Sequence, residues 1–250
     1  MVTAGTSFGG RARTATNLPG RRYDHLFFSG MALVSLATVF VGFARTYYLA
    51  GLFHAPLDAP LVHVHGAVFS CWILLLVVQT SLVAAGRVDV HRCIGIAGFI
   101  LACLLVVLGV LVNNHALAIG GGPPDGDGAY IYFLGLALMA IFAVLICFAF
   151  RYRSNPAAHK RLILVATMAL LVAAIVRLPL AFVQRLGRPD WLSYTFLLML
   201  VGYDLWSTRK IHRATFGAGA FLIVTEQMVY LVGHTAESQA FAGWIQSIVR

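Results

Sequence analysis

Charge is scarce in this chain. Only 11% of its 250 residues are Asp, Glu, Lys or Arg, and only nine are acidic, whereas soluble domains carry about 25% charged residues. A water-soluble fold could not hide the hydrophobic residues, 60% of the chain, in one core. A bilayer accepts apolar side chains on the outside of a helical bundle. Lysine occurs only at Lys160 and Lys210, both in loops between apolar runs, which excludes a retinal protein with its Schiff-base lysine in the last helix. No C-x-x-C pair occurs. Cys71, Cys93, Cys103 and Cys147 fall in or at the ends of apolar runs and read as buried apolar residues. Residues 1–24 lack an apolar core, so they are not a secretory signal. With Arg11, Arg13, Arg21 and Arg22 they read as a flexible basic cytoplasmic tail. The net charge of +9 does not point to nucleic acid, because the basic residues sit in short loops between apolar runs.

What the chain has in quantity is long apolar segments. Seven of them, 26–44, 61–86, 93–112, 129–150, 162–183, 191–206 and 214–233, approach the roughly 20 residues that span a bilayer. The sixth is the shortest, bracketed by Asp190 and Asp204. One set of loops holds Arg11, Arg13, Arg21, Arg22, Arg87, Arg92, Arg151, Arg153, Lys160, Arg161, Arg209, Lys210 and Arg213. The other holds Arg45, Arg177, Arg185, Arg188 and Arg250. This asymmetry puts the first set, and the N-terminus, in the cytoplasm. The predicted fold is an all-α polytopic membrane helix bundle of seven transmembrane helices, N-terminus inside, in a bacterial inner membrane. The tail 1–24 precedes a transmembrane domain over 25–234. A short amphipathic segment over 235–250 follows, with Phe241, Trp244, Ile245 and Ile248 at helical spacing. The pairs His91-Arg92, His159-Lys160 and His212-Arg213 open segments three, five and seven, a faint repeat of three hairpins. Residues 113–128 are rich in Gly, Pro, Asn and Asp and read as a loop.

Three groups of residues could carry chemistry. His65, Trp72 and Gln79 recur every seven residues and share one face of the second helix, extending over about 21 Å. Such a stripe serves either interhelical hydrogen bonding or a site. His63 and His65 form H-x-H, which chelates one ion only if the segment is extended, because on a helix the two point about 200° apart. With His234 on the same predicted side, His63 and His65 are the candidate metal ligands. Arg177 and Glu226 are charges within apolar runs at depths differing by about 6 Å, which predicts a pair. Glu226, Tyr230 and His234 repeat every four residues. Trp72, Gln79, Arg177, Glu226 and Tyr230 therefore make up the expected intramembrane polar site, opening to the outside. Finally, His91 and His159 begin helices of the same direction, so their rings lie at one depth. They are either interfacial residues or a pair of axial haem ligands.

The stretch from His65 to Gly98 reads H-G-A-V-F-S-C-W-I-L-L-L-V-V-Q-T-S-L-V-A-A-G-R-V-D-V-H-R-C-I-G-I-A-G. It resembles bacterial membrane-protein families in which a His opens one helix, a Gln follows, and a short basic turn leads to H-R-x-x-G; these have no firm activity to carry over. More distantly, His65, Trp72, Arg87 and His91 give the chain a similarity to diheme transmembrane cytochrome b carriers of the ascorbate-reducible type. That similarity implies haem b, with His91 and His159 as one ligand pair and His65 as a candidate for a second. Segment 129–150 holds no His, so it supplies no partner for His65. The H-x-x-x-H of seven-helix zinc hydrolases is missing from the last helix.

The functional reading is therefore an integral inner-membrane protein of unassigned activity, with a polar site toward the outside and no indicated enzymatic chemistry. The alternatives are a haem b-binding redox or respiratory-assembly protein, and a small-solute transporter or metal-dependent membrane enzyme. Its partners are the lipid bilayer and either a second copy of the chain or a respiratory-chain component.

Overall fold

A computed structural model describes residues 23–56, 59–120, 128–186 and 188–249. Most of the basic tail (1–22), the centre of the 113–128 loop (121–127), Asp58 and Arg250 lie outside them. The described residues are predominantly helical, without strands. The α-helices are α1 (Asp24–Phe43), α2 (Pro60–Ala84), α3 (Val88–Ala118), α4 (Gly128–Arg151), α5 (Pro156–Ile175), the single turn α6 (Ala181–Gln184), α7 (Tyr194–Thr208), α8 (Arg213–Gly233) and α9 (Ala236–Val249). A π-helical turn, Ala44–Tyr48, extends α1.

The helix ends follow local chemistry. Pro60 and Pro156 occupy first-turn positions where their missing N–H costs nothing. Asn155 caps α5 by accepting from the Ala158 N–H at 3.2 Å. Gly86, at φ 74°, closes α2. The N–H of Arg87 reaches back to the Leu82 carbonyl at 2.8 Å, the wrap that a left-handed glycine permits.

Among the described residues, six helices are long and apolar enough to cross a membrane: α1 with its π-turn, α2, α3, α4, α5 and α8. They fit a multi-pass integral membrane protein. Their outward faces carry exposed Leu33, Leu74, Ile96, Ile100, Val107, Phe148, Phe216 and Leu231, the inverse of a soluble surface. All four cysteines are exposed on this surface, not buried as their apolar context suggested, because in a membrane helix an apolar context marks the lipid face as readily as the core. The expected sixth span is short: α7 has 15 residues, about 22 Å of axis, and a 3-10 turn, Pro189–Ser193, leads into it.

The fifth segment starts earlier and stops sooner than its hydropathy implied. α5 runs Pro156–Ile175 and then unwinds. Pro179 has no N–H and disfavours a helical Leu178. The chain tightens instead through Arg177 N–H to Ala174 O and Leu178 N–H to Ile175 O, both 3.1 Å.

α5 is the hub. Val165, Ala166, Met168, Ala169, Leu171 and Ala174 are fully enclosed, and α1, α4 and α8 pack around it. At Gly42 of α1 an added Cβ would fall on the backbone carbonyl of Ala174, so α1 and α5 touch backbone to backbone there. α1, α2, α3, α4 and α5 follow one another around a ring that closes from α5 back to α1. Trp72 of α2 reaches across its interior, donating to Thr167 of α5 at 3.3 Å, with its indole edge-on to Phe142 of α4 at 5.1 Å.

One end of the bundle, the basic end, gathers the start of α1, α3, α5 and α8. There Lys160 pairs with Asp24 at 2.5 Å and Tyr203 stacks on Phe27 at 4.0 Å. The far end carries α9, held where Gln246 donates to the Leu117 carbonyl at 2.7 Å.

Candidate functional site

At the basic end, α3 and α5, which both pack on α4, bring His91 and His159 together. Their ring centres are 6.4 Å apart and their planes are 84° apart. An imidazole nitrogen binds a metal at about 2 Å, so two imidazoles held trans on one metal have ring centres about 6 Å apart. His159 makes its Nδ1 bond to the Ala149 carbonyl of α4 at 2.8 Å. That bond makes Nδ1 the donor and leaves the lone pair on Nε2, the arrangement by which a metal-binding His is usually oriented. Beside the pair, the buried Nδ1 of His91 and the buried Oε1 of Gln79 have no hydrogen-bond partner. Two orphaned polar atoms around facing imidazoles are unusual for a site that serves packing alone. Gly95, one turn past His91, leaves that side of α3 bare; its nearest neighbour would be Gln79 Nε2, at 3.8 Å.

The stripe of α2 divides. Trp72 is buried as a bundle tie, and Gln79 belongs with the histidine pair. His65 lies near the far end of α2, its ring 6.2 Å from Phe69 and its buried Nδ1 unpartnered.

His63 and His65 are both helical, so they diverge and cannot chelate from one segment. His63 faces Tyr47 at 5.7 Å, while His234 stacks on Tyr130 at 4.6 Å. The proposed metal set of His63, His65 and His234 is not assembled. Among the described residues no three His, Cys, Asp or Glu side chains converge on one point.

The expected Arg177–Glu226 pair does not form. Arg177 follows the end of α5, donates to the Ala173 carbonyl at 2.7 Å and stands over Phe43 at 5.1 Å. Glu226 is 1% exposed, and neither carboxyl oxygen has a hydrogen bond of good geometry. Its polar neighbours are Tyr194, Asp190 and Arg188. Arg188 forks onto Asp190, 2.7 Å at the shortest, and covers the Tyr230 ring at 3.8 Å. Tyr230 is therefore spent on Arg188.

A further group escaped the sequence reading. Arg161, counted there with the loop charges, is 3% exposed and bonded to Asp204, which is fully buried. Asp204 was itself the available signal, because a carboxylate ending an apolar run needs a cation at its own depth.

No protein-family model, curated protein or solved structure matches the chain.

Proposed function

We propose that the protein is a membrane-bound haem b protein of the redox or respiratory-assembly class, holding one haem between His91 and His159 at the basic end. The observation that carries this reading is the facing pair itself: two imidazoles from the two helices that flank α4, 6.4 Å apart and nearly orthogonal. Two histidines without a third side-chain ligand suit a metal whose remaining ligands come from a macrocycle. They do not suit zinc, which takes three or four protein ligands. His159 would be held in its ligating tautomer by Ala149, and Gln79 would supply a polar contact beside His91. A bound haem supplies one-electron chemistry; the chain's own part is to orient both imidazoles and exclude water.

The charge asymmetry supports an inner-membrane location with the basic end in the cytoplasm. It also supports α7, with the 3-10 turn before it, as a seventh, shortened crossing.

The test is an absorption spectrum of protein purified from haem-replete cells. A Soret band that disappears in His91→Ala and in His159→Ala, but survives in Arg92→Gln and His65→Ala, supports the assignment. A colourless wild type, or a band that survives both substitutions at 91 and 159, overturns it.

A further inference from the structure

Glu226 sits midway along the concealed face of α8, with α4, α5 and α7 packed against that helix. Both its oxygens are buried and have no hydrogen bond of good geometry, the Tyr194 hydroxyl being the nearest donor. The ionisable groups around it come from several elements. The segment before α7 brings Arg188 and Asp190, the start of α7 brings Tyr194, and α4 brings Tyr130. Tyr230 lies one turn along α8 itself. α5 carries ionisable side chains only in its first turns, at His159, Lys160 and Arg161, and α9 carries only Glu237. None of these neutralises Glu226 by contact. Arg188 is committed to the Asp190 carboxylate and to the faces of Tyr230 and, at 5.2 Å, Trp191. The Tyr194 oxygen accepts from Gln227 Nε2 at 2.9 Å, which leaves its O–H as the one neutral donor beside the Glu226 carboxyl.

A carboxylate stripped of water, with a single hydroxyl beside it, is strongly disfavoured as an ion, and the nearby Asp190 carboxylate adds repulsion. The charge can be removed in two ways. A metal cation would need several oxygen ligands, and no such cluster of side chains forms here. A proton needs one oxygen.

We propose that Glu226 is a proton-binding site: its carboxyl holds a proton in the resting protein and exchanges it with the aqueous phase past the Arg188–Asp190 pair. That pair is the exit because the Arg188 side chain is partly exposed, 17%, while Glu226 is sealed. The site is independent of the histidine pair at the other end of the bundle. It gives the protein a titratable proton within the membrane, the element that any proton-coupled step requires.

Infrared spectroscopy of the full-length protein in detergent, near neutral pH, reads this directly. A protonated-carboxyl C=O band is expected in the wild type, shifted down in D2O and lost in Glu226→Gln, which is isosteric with the neutral acid. Glu226→Asp, a second variant in case the first fails to fold, should keep a band at an altered frequency. Asp190→Asn should leave the band in place, because Asp190 is already neutralised by Arg188. Absence of any band that depends on residue 226 overturns the proposal. So does a band present in choline chloride but abolished by sodium chloride, which would make the ligand a metal cation.

Discussion

Arg161 and Asp204 lock α5 to α7 through an ion pair enclosed on all sides. Arg161 Nε and Nη2 both donate to Asp204 Oδ1, at 2.9 and 2.5 Å. Oδ2 accepts from Thr215 Oγ1 at 2.6 Å and from the His212 N–H at 3.0 Å, which ties in the start of α8. The remaining guanidinium nitrogen donates to Ala157 O at 2.8 Å. A buried pair is tolerable when every lone pair and proton is used in this way.

Breaking this pair from one side should be costly. Arg161→Gln or Asp204→Asn leaves a buried charge without its partner, a loss of about 3–5 kcal/mol. The double substitution should cost clearly less than the sum. Denaturant unfolding in mild detergent measures all three variants, and strict additivity would contradict the coupling.

The same pair shows what was readable beforehand. Hydropathy reports depth along a helix axis, and from it the apolar segments, the helical fold and the common depth of His91 and His159 were all legible. It does not report azimuth or which helices are neighbours. Arg177 and Glu226 matched in depth but face different sectors, and Pro179 had already ended α5 before Arg177. Arg161 follows Lys160 directly, yet lies about 100° around the helix, so one reaches Asp24 near the surface and the other faces the interior. Gln79 and Trp72 share a face, but only packing shows that Trp72 is consumed by Thr167 while Gln79 Oε1 is left over.

His212 makes the basic end pH-sensitive. Its Nδ1 caps α8 by accepting from the Ala214 N–H at 3.1 Å, which requires a neutral ring. Burial, and then the positive charge of Arg161, hold its pKa below the ordinary histidine value, with Asp204 opposing and Lys160 reinforcing. The unfolded chain therefore binds the proton more readily than the native one. This contribution to stability is complete above about pH 6.5, falls as the pH drops below it, and is lost below the native value. His212→Asn keeps a capping acceptor without the titration. Between about pH 7.5 and 5.5 its unfolding midpoint should fall less than that of the wild type. Equal declines would remove His212 as the cause.

The angle between the two histidine rings carries its own prediction for the haem-bound protein. An axial imidazole raises the energy of the iron d orbital with which its π system overlaps. Parallel rings act on the same orbital and split the d pair; orthogonal rings act on one orbital each and leave the pair nearly degenerate. The planes of His91 and His159 are 84° apart, and the bond from His159 Nδ1 to Ala149 resists rotation of one ring. A haem held between rings that kept this angle would therefore give a low-spin paramagnetic resonance spectrum with a strongly anisotropic, large leading g value, instead of the compact rhombic pattern of parallel ligands. Gln79→Leu, which removes the unpartnered side-chain amide but leaves the Gln79 backbone group that bonds the His91 ring, should keep both the haem and the form of the signal. A rhombic spectrum in the wild type would mean that the rings rotate on binding, or that the ligands are a different pair. The His91→Ala and His159→Ala spectra separate those two outcomes, because only a different pair would leave the low-spin signal intact.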